Sequence, residues 1–446
     1  MLLGESGIDT VPEERAADAE GGESPTLLIG SFGLGAGRPV RVDGSPTIGR
    51  GRPAVDGEQE RIDVTDRLLS RRHLRIVRRQ GGYSVEDLVS LNGSYLDGLR
   101  LEKPTALSEG SILLFGNHTA VFRRVSPPAL AALAEETGSP FGPVATLSPS
   151  LALTLAKLRR LARTDQEILL VGESSVGKAT YARAIHRASG RSGAFVVLDC
   201  AALPGPLIES VLFGAASGAS AAGGPPASGL IEAAEGGTLL LSEIGELPAS
   251  LAGRLSEFLR DRLFNPQGST SLRRADVRIL ATTGRHGGSE RPLGWQSDLL
   301  ARLGIEPIRI LPLRERPEDI GALAAHFAAG AVTSLEPAAF RTLTLHSWPL
   351  NLFELEKAIK HAVALSTEGR VRLDHLPGTV GRAREGGAPV TLRRRPRPAP
   401  PRAELENLLR QHQGNVSSVA RSLDRKWAVV WRWIGKHQLH PDQFRP

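Results

Sequence analysis

Residues 171–180, VGESSVGKAT, have the residue types and the spacing that bind phosphate. Gly172, Gly177 and Lys178 match the pattern G-x-x-x-x-G-K, in which a glycine-rich turn exposes backbone N–H groups and the lysine contacts the outer phosphates. The apolar run at 168–171 predicts a strand that leads into this turn. A Gly/Ser turn that merely precedes a lysine is the alternative. We predict a nucleotide triphosphate site whose loop residues are Gly172, Glu173, Ser174, Ser175, Val176, Gly177, Lys178 and Ala179.

The elements around this loop follow an alternating pattern of strands and helices. Apolar runs predict strands near 167–171, 194–198, 237–241 and 277–282, separated by helical patterns at 151–163, 178–189, 205–212 and 248–261. Such alternation is typical of an α/β domain with a parallel sheet. Helical patterns at 317–329, 336–346 and 351–366 predict a helical lid after Leu311.

The region before this domain has a different pattern. Short apolar or alternating runs between residues 26 and 125 are separated by Gly, Asp and Asn turns, which predicts an all-β sandwich of about a hundred residues. The predicted strands lie near 26–29, 39–42, 74–77, 83–85, 112–115 and 119–122. Residues 126–142 are rich in Pro, Gly and Ala, which favours a flexible interdomain linker.

Charge is distributed unevenly along the 446 residues, whose net charge is +7. Residues 1–25 are acidic and polar, which predicts a disordered tail. Residues 381–446 carry an excess of nine positive charges, so we expect a polyanion to bind there. Residues 380–402 predict a basic linker. The single cysteine, Cys200, lies in an apolar run and predicts a buried thiol, and with no secretory or membrane-spanning run we expect a cytoplasmic protein.

Long motifs in the α/β region resemble the AAA+ ATPase domain of bacterial enhancer-binding proteins, the activators that remodel sigma-54 RNA polymerase. The similar motifs are GESSVGKA, GGTLLLSEIGELP, LPLRERPEDI and SWPLNLFELEKAI, within about residues 143–379. The resemblance implies a nucleotide-binding subdomain at 143–310 and a lid at 311–379. It also implies ATP and Mg²⁺ as cofactors and a hexameric or heptameric ring, although the oligomeric state of this chain, dimer or ring, stays open.

Several positions depart from the pattern of that family. Glu243, the water-activating carboxylate, is kept, but Ser242 replaces the acid that binds magnesium, so Mg²⁺ binding should be weak. Arg302 keeps the second arginine-finger position, whereas Gln296 replaces the first. Other departures are Gly284 at the sensor asparagine, Phe353 at the sensor arginine of the lid, and 218–223 in place of the sigma-contacting loop GAFTGA. We expect nucleotide binding and doubt both hydrolysis and sigma-54 contact, so whether the protein is an enzyme stays open.

The β-rich region resembles forkhead-associated (FHA) domains in the order of three short motifs. Ile48-Gly49-Arg50, Ser70-Arg71-Arg72-His73 and Leu91-Asn92-Gly93-Ser94 fall at predicted strand connections. The resemblance implies that the loops bind phosphothreonine, with Arg50, Ser70, Arg71 and Asn92 as contact residues and His73 as a structural residue behind them. The implied partner is a phosphothreonine-containing protein, either a Ser/Thr kinase or its substrate.

The C-terminal segment 403–446 resembles the Fis-type helix-turn-helix of the same activators, in the stretch NVSSVARSLDRKWAVVWRWIGKHQL. Helices are predicted at 403–411, 415–423 and 426–437, with the third entering the major groove of DNA. A helical bundle used only for dimerisation is the alternative. We expect Trp431 in the core with Val430 and Ile434. The candidate DNA contacts are Arg425, Lys426, Trp427, Arg432 and Lys436.

The complete prediction is a multidomain chain: an all-β FHA sandwich, an α/β AAA+ P-loop domain with a helical lid, and an all-α helix-turn-helix. We predict a DNA-binding transcriptional regulator with a phosphothreonine input, and we assign no metal-ligating residues. An active ATPase that activates sigma-54 RNA polymerase and a phosphoprotein-binding scaffold without DNA recognition are the alternatives.

Overall fold

The chain divides into two compact units, Met1–Pro389 and Val390–Pro446, and each is described by itself. The computed structural model describes residues 22–33, 37–42, 44–51, 61–64, 66–79, 82–219, 226–284, 299, 302–304, 306–332, 334–366, 369–380, 402–422, 430–431, 433–434, 437, 439 and 441–444. In this part of the chain, no helix is long and apolar enough to cross a membrane.

The first unit begins with a β-sandwich, which confirms the predicted all-β fold. Its strands are β1 (Ser24–Ser31), β2 (Arg38–Arg41), β3 (Thr47–Gly49), β4 (Arg61–Asp63), β5 (Leu74–Arg79), β6 (Gly82–Asp87), β7 (Ser94–Leu96), β8 (Leu99–Arg100), β9 (Thr105–Leu107), β10 (Ile112–Phe115) and β11 (His118–Val125). The two sheets have the orders β2-β1-β11-β10-β7-β8 and β4-β3-β5-β6-β9. Strands β3 and β4 pair in parallel, and the other pairs are antiparallel. Ile48 and Gly49, which we expected between strands, lie within β3.

Alternating side chains place the sandwich core between the sheets. In β5, Leu74 and Ile76 are buried while Arg75 faces solvent, as the period of two in a strand requires. Strand β1 is buried at five successive residues, Thr26–Gly30, because both of its faces are covered. Leu27 belongs to the sandwich core and Leu28 to a second apolar cluster on the outer face. The outer face of β1 is therefore an interface with the following elements.

The segment predicted to be a flexible linker is instead helix α1 (Pro127–Gly138). Its residues Ala129 and Leu133 pack with Leu28 and Val121 of the sandwich, in a cluster that also holds Ala152 of α2 (Pro149–Ala162). The prediction was wrong because Pro and Ala were interpreted as linker composition. Proline favours the first turn of a helix and alanine favours its interior.

An α/β domain with a parallel sheet follows, as predicted. Its strands β12 (Ile168–Val171), β13 (Phe195–Asp199), β14 (Thr238–Ser242), β17 (Arg278–Thr283) and β18 (Ile308–Arg309) have the order β13-β14-β17-β12-β18. The connecting elements are α3 (Lys178–Ala188), α4 (Gly205–Phe213), α5 (Leu230–Ala233), α6 (Ala249–Asp261) and the paired strands β15 (Leu263–Phe264) and β16 (Arg273–Arg274). Cys200 is buried, as predicted, and burial raises the pKa of its thiol to about 12.

The helical lid is built from α7 (Ile320–Ala328), α8 (Pro337–Leu345) and α9 (Asn351–Leu365), close to the predicted ranges. Strand β19 (Ser334–Leu335) pairs with β20 (Arg370–Val371). The lid core contains the fully buried Trp348 and Phe340, and Phe32 of the sandwich packs against it. The lid and the sandwich thus share an apolar contact.

The second unit contains α10 (Arg402–Gln411) and α11 (Val416–Ser422), with helical residues also at 430–431 and 433–434. Asn415 is the N-cap of α11, since its Oδ1 accepts a hydrogen bond from Ser418 N. Val430 and Ile434 are buried in the small core. Trp431 is 49% exposed, so its predicted core position was wrong, and Trp433 packs against this core instead. In a helix, residues 430, 433 and 434 share one face and 431 does not.

Candidate functional site

Hydrogen bonds between three loops of the sandwich bring the predicted phosphopeptide residues together. Arg50 N donates to Ser70 O at 3.0 Å, and Leu91 N donates to Ser70 Oγ at 3.1 Å. Asn92 Nδ2 donates to Leu68 O at 2.7 Å. The side chains of Arg50, Arg71 and Asn92 are exposed. Because Ser70 Oγ accepts from Leu91, its hydroxyl proton can be donated to a ligand.

Arg61 is a residue of this site that sequence reasoning missed. Its Nη2 donates to three backbone carbonyls, Arg50 O at 3.2 Å, Gly51 O at 2.8 Å and Arg71 O at 2.9 Å. Its Nε donates to Asp63 Oδ1 at 2.8 Å, and the side chain is only 9% exposed. One guanidinium therefore holds together the two loops that carry Arg50 and Ser70. No motif marks Arg61, because its role depends on the parallel pairing of β3 and β4.

His73 lies behind these loops and is fully buried. Its Nδ1 accepts a hydrogen bond from Ser70 N at 3.1 Å, and its ring packs near that of Phe115. Burial lowers the pKa of His73, which keeps the imidazole neutral and its Nδ1 available as an acceptor. The histidine thus fixes the backbone of Ser70, and its side chain is too buried to meet a ligand.

The glycine-rich loop joins β12 to α3 and turns through two left-handed residues, Ser175 with φ +58° and Gly177 with φ +107°. Helix α3 starts at Lys178, so the N–H groups of its first turn have no acceptor within the helix. Lys178 Nζ donates to Gly172 O at 2.8 Å and to Glu173 O at 3.1 Å. Its side chain is 7% exposed. The lysine is held within the loop, where it closes the turn.

Glu243 faces this lysine from the end of β14, which is separated from β12 by β17 in the sheet. Lys178 Nζ lies 3.2 Å from Glu243 Oε1, and Gly284 N donates to Glu243 Oε2 at 2.8 Å. Ser242 and Thr282 hydroxyls lie 3.5 Å apart beside it. The carboxyl ends of β12, β14 and β17 meet at one edge of the sheet, which explains why these residues converge. The negative charge of Glu243 and the positive charge of Lys178 therefore neutralise each other.

The structure describes only some of the other positions at which the sequence was compared with the family pattern. Phe353 is 51% exposed on α9, with Lys357 Nζ 5.6 Å from its ring centre. Arg302 is an exposed helical residue. Gln296 and the greater part of 218–223 lie outside the described residues. The predicted DNA contacts Arg425, Lys426, Trp427, Arg432 and Lys436 also lie outside them.

The lid contacts the backbone of the glycine-rich loop directly. Asn351 Nδ2 donates to Ser174 O at 3.0 Å, and Leu352 N donates to Ser175 O at 3.1 Å. Arg316 Nη2 donates to Val176 O at 3.1 Å. No local sequence pattern could predict these contacts, since they join segments more than 130 residues apart. They make the loop conformation dependent on the lid.

The residues present suit the phosphates of a nucleotide better than they suit a magnesium ion. The loop offers an ammonium group, left-handed turn residues and a helix N-terminus, all favourable for phosphate. Ser242 supplies no charge, and no group of three or more His, Cys, Asp or Glu among the described residues could hold a metal. A magnesium ion would have Glu243 as its nearby carboxylate, already paired with Lys178.

Three stretches of the chain match known domain families. Residues 144–309 match the Sigma-54 interaction domain, residues 47–116 match the FHA domain, and residues 314–391 match the AAA+ ATPase lid domain. These matches confirm the AAA+ and FHA resemblances that the sequence motifs indicated.

Individual proteins extend the similarity. The transcriptional regulatory protein GlrR of Escherichia coli (strain K12) is 34% identical over 311 residues, which are 68% of this chain and 69% of GlrR. The Nif-specific regulatory protein of Klebsiella pneumoniae is 40% identical over 236 residues, 51% of this chain and 45% of that protein. The chain thus spans less than half the length of that relative. NtrX from Brucella abortus, solved in complex with ATP, is 25% identical over 67% of this chain and 70% of NtrX, with a TM-score of 0.47.

Proposed function

The chain belongs to the family of sigma-54-dependent transcriptional regulators, and from that membership we propose that it is a DNA-binding regulator with a phosphothreonine input. ATP binds at the glycine-rich loop, but hydrolysis is slow and sigma-54 contact is weak. One contrast carries the proposal. The phosphopeptide residues are all present, and Arg50, Arg71 and Asn92 are exposed, whereas the hydrolysis residues lack the magnesium acid and one arginine.

The input is a phosphothreonine segment of a Ser/Thr kinase or its substrate. Arg50 contacts the phosphate oxygens through its guanidinium, and Arg71 adds a second positive charge. Ser70 donates its hydroxyl to the phosphate, and Asn92 binds the peptide backbone. The hydrogen bonds of Arg50, Ser70 and Asn92 to neighbouring loops support these roles, because they fix the loops before a ligand arrives.

Within the glycine-rich loop, ATP meets an intact phosphate cradle with little catalytic support. Lys178 and the N–H groups that begin α3 bind the phosphates, and Glu243 is the base for water. Weak magnesium binding follows from Ser242. Arg302 is the one arginine-finger position that the sequence keeps. The nucleotide therefore acts as a bound effector with slow turnover.

The output is DNA binding by residues 403–446, with Arg425, Lys426, Trp427, Arg432 and Lys436 as the contacts. The excess positive charge of this end supports binding to a polyanion. The loop at 218–223, Gly-Ala-Ser-Ala-Ala-Gly, has no aromatic or threonine side chain to bury against a sigma factor. The regulator accordingly acts at DNA with little or no remodelling of polymerase.

A second candidate is an active ATPase that activates sigma-54 RNA polymerase as a ring. The position of Glu243 between Lys178 and Gly284 favours it, since a water-activating carboxylate must lie at the phosphate site. Steady turnover that depends on Lys178 and Glu243 distinguishes this candidate. Absence of salt-dependent DNA binding would instead favour a phosphoprotein-binding scaffold.

Binding of a phosphothreonine peptide pool with randomised flanks to the full chain tests the input. We expect binding to the phosphorylated pool alone, and a loss of about 100-fold in Arg50→Ala, because the charge-assisted bonds to phosphate disappear. Arg78→Ala is the matched control, since Arg78 is also an exposed arginine of the sandwich and lies near the end of β5 that is away from the Ser70 loop. Equal affinity of Arg50→Ala and wild type would refute the phosphothreonine input.

A further inference from the structure

Arg123 of the sandwich forms an ion pair with the buried carboxylate of Glu318, which lies just before the first helix of the lid. Its Nη2 lies 3.4 Å from Glu318 Oε1 and donates to Glu315 O at 3.2 Å. The Glu318 side chain is 0% exposed, and within the described part of the chain neither of its carboxylate oxygens has a hydrogen bond. A buried carboxylate of this kind depends on its ion partner. The position of Glu318 therefore depends on the sandwich.

The same short segment holds the glycine-rich loop from the other side. Arg314 makes two hydrogen bonds to the carboxylate of Glu173, one of them 2.7 Å long. Arg316 Nη2 donates to Val176 O. These arginines precede Glu318 by four and two residues. Residues 314–318 thus contact the nucleotide loop and the sandwich at once.

Close backbone packing fixes the relative position of sandwich and lid. A Cβ atom added to Gly30 of β1 would lie 2.5 Å from Glu318 O, and one added to Gly321 of α7 would lie 2.4 Å from Ser31 O. Both distances are shorter than any tolerated contact, so only glycine permits this approach. Thr119 and Thr344 hydroxyls also meet here at 3.3 Å. The sandwich cannot shift on the lid without losing these contacts.

We propose that Arg123 is a positioning residue for the nucleotide loop, so that the FHA sandwich forms a structural part of the nucleotide site and its ligand changes nucleotide affinity. The proposal rests on nucleotide binding as proposed above. Arg123 touches no nucleotide and acts through Glu318 and the arginines that hold the loop. Because coupling between two sites is reciprocal, nucleotide also changes phosphopeptide affinity by the same factor.

A second contact brings the phosphopeptide loops close to the lid. Tyr95 of β7 follows Asn92 by three residues, and the guanidinium of Arg341 on α8 lies 4.2 Å from its ring centre. A ligand bound at Asn92 therefore contacts the loop that leads directly into a strand in contact with the lid. The coupling has its physical basis in this shared interface.

Titration of the full chain with a fluorescent ADP derivative, with and without the phosphothreonine peptide pool, tests the proposal. ADP avoids any dependence on hydrolysis. We expect Arg123→Met to lower ADP affinity at least fivefold and to abolish the effect of the peptide, while peptide affinity in the absence of nucleotide stays unchanged. Arg124→Met is the matched control, because Arg124 is the next residue of β11 and is exposed.

Two further variants guard against loss of folding. The double variant Arg123→Gln/Glu318→Gln leaves no unpaired buried charge and should fold while losing the coupling. The charge swap Arg123→Glu/Glu318→Arg should restore ADP affinity toward wild type. Affinity within twofold of wild type in folded Arg123→Met and in the double Gln variant would overturn the role of Arg123. Absence of ADP binding by wild type would overturn the proposed nucleotide binding as well.

Discussion

The two candidate phosphate sites of the chain hold their cationic side chains in opposite ways. Arg50 and Arg71 of the sandwich are exposed, while Arg61 and His73 fix the loops from within. Lys178 of the glycine-rich loop is buried and paired with Glu243. Recognition of phosphate requires only such prepositioned donors, whereas hydrolysis also requires a metal, a base and a positive group from a neighbour. The chain keeps the first requirement at both sites and only part of the second.

Restoring the missing groups should have the largest effect. The variant Ser242→Asp/Gln296→Arg supplies the magnesium acid and the first arginine finger, and we expect ATP turnover to rise by at least about 100-fold, since one arginine finger is worth about 10³ to 10⁵ in rate. Phosphate release at saturating ATP and Mg²⁺ measures it.

Glu243→Gln in the same background is the control and should remove the gained turnover. Rapid turnover by the wild type, with no gain in the restored variant, would erase the contrast between the two sites.

Removal of the guanidinium that joins the sandwich loops should have the next largest effect. Arg61→Met deletes three hydrogen bonds to the carbonyls of Arg50, Gly51 and Arg71. We expect phosphopeptide affinity to fall by about 10- to 100-fold, at ~1.5 to 3 kcal/mol, because the loops lose their fixed geometry. Fluorescence anisotropy with a labelled phosphothreonine peptide measures the loss.

Arg61→Lys should recover part of that affinity, since an ammonium group can still donate to one or two carbonyls. The preorganisation of this site would be disproved by full affinity in a folded Arg61→Met protein.

The buried carboxyl group of Asp319, the residue after Glu318, should give a smaller, pH-dependent effect. Asp319 accepts hydrogen bonds from Thr146 Oγ1 at 2.6 Å and Leu147 N at 2.7 Å, and burial raises its pKa to about 6. The folded protein therefore binds the proton more tightly than the unfolded chain does. Stability from this group falls as pH rises from about 4 to about 6 and is constant above.

Asp319→Asn removes this titration. We expect the difference in unfolding free energy between wild type and variant to change by on the order of 1 to 3 kcal/mol between pH 4 and pH 6.5. Urea unfolding at several pH values measures it, with Asp374→Asn as control because the Asp374 side chain is 77% exposed. Parallel curves for wild type and Asp319→Asn would mean that the pKa of Asp319 is not raised in the folded protein.

Long apolar strands and periodic helices were predictable from sequence, as in β12, β14 and α9. The three-residue strands β3, β4, β7 and β9 were missed because so few residues show no periodicity. Motif residues such as Lys178 and Glu243 were identified by spacing. Arg61 and Arg123 could not be, since their partners are set by strand pairing and by the contact of the sandwich with the lid. Helix α1 was missed because composition was given more weight than its proline start signal.

Binding and turnover of ATP by the purified full chain, with Mg²⁺ and over a range of protein concentrations, tests the central claim most directly. We predict saturable ATP binding that is lost in Lys178→Ala, with turnover near background at every concentration. Turnover that rises steeply with protein concentration and disappears in Glu243→Gln would contradict the account, because it would mean that a ring forms and that Glu243 and Arg302 suffice for hydrolysis.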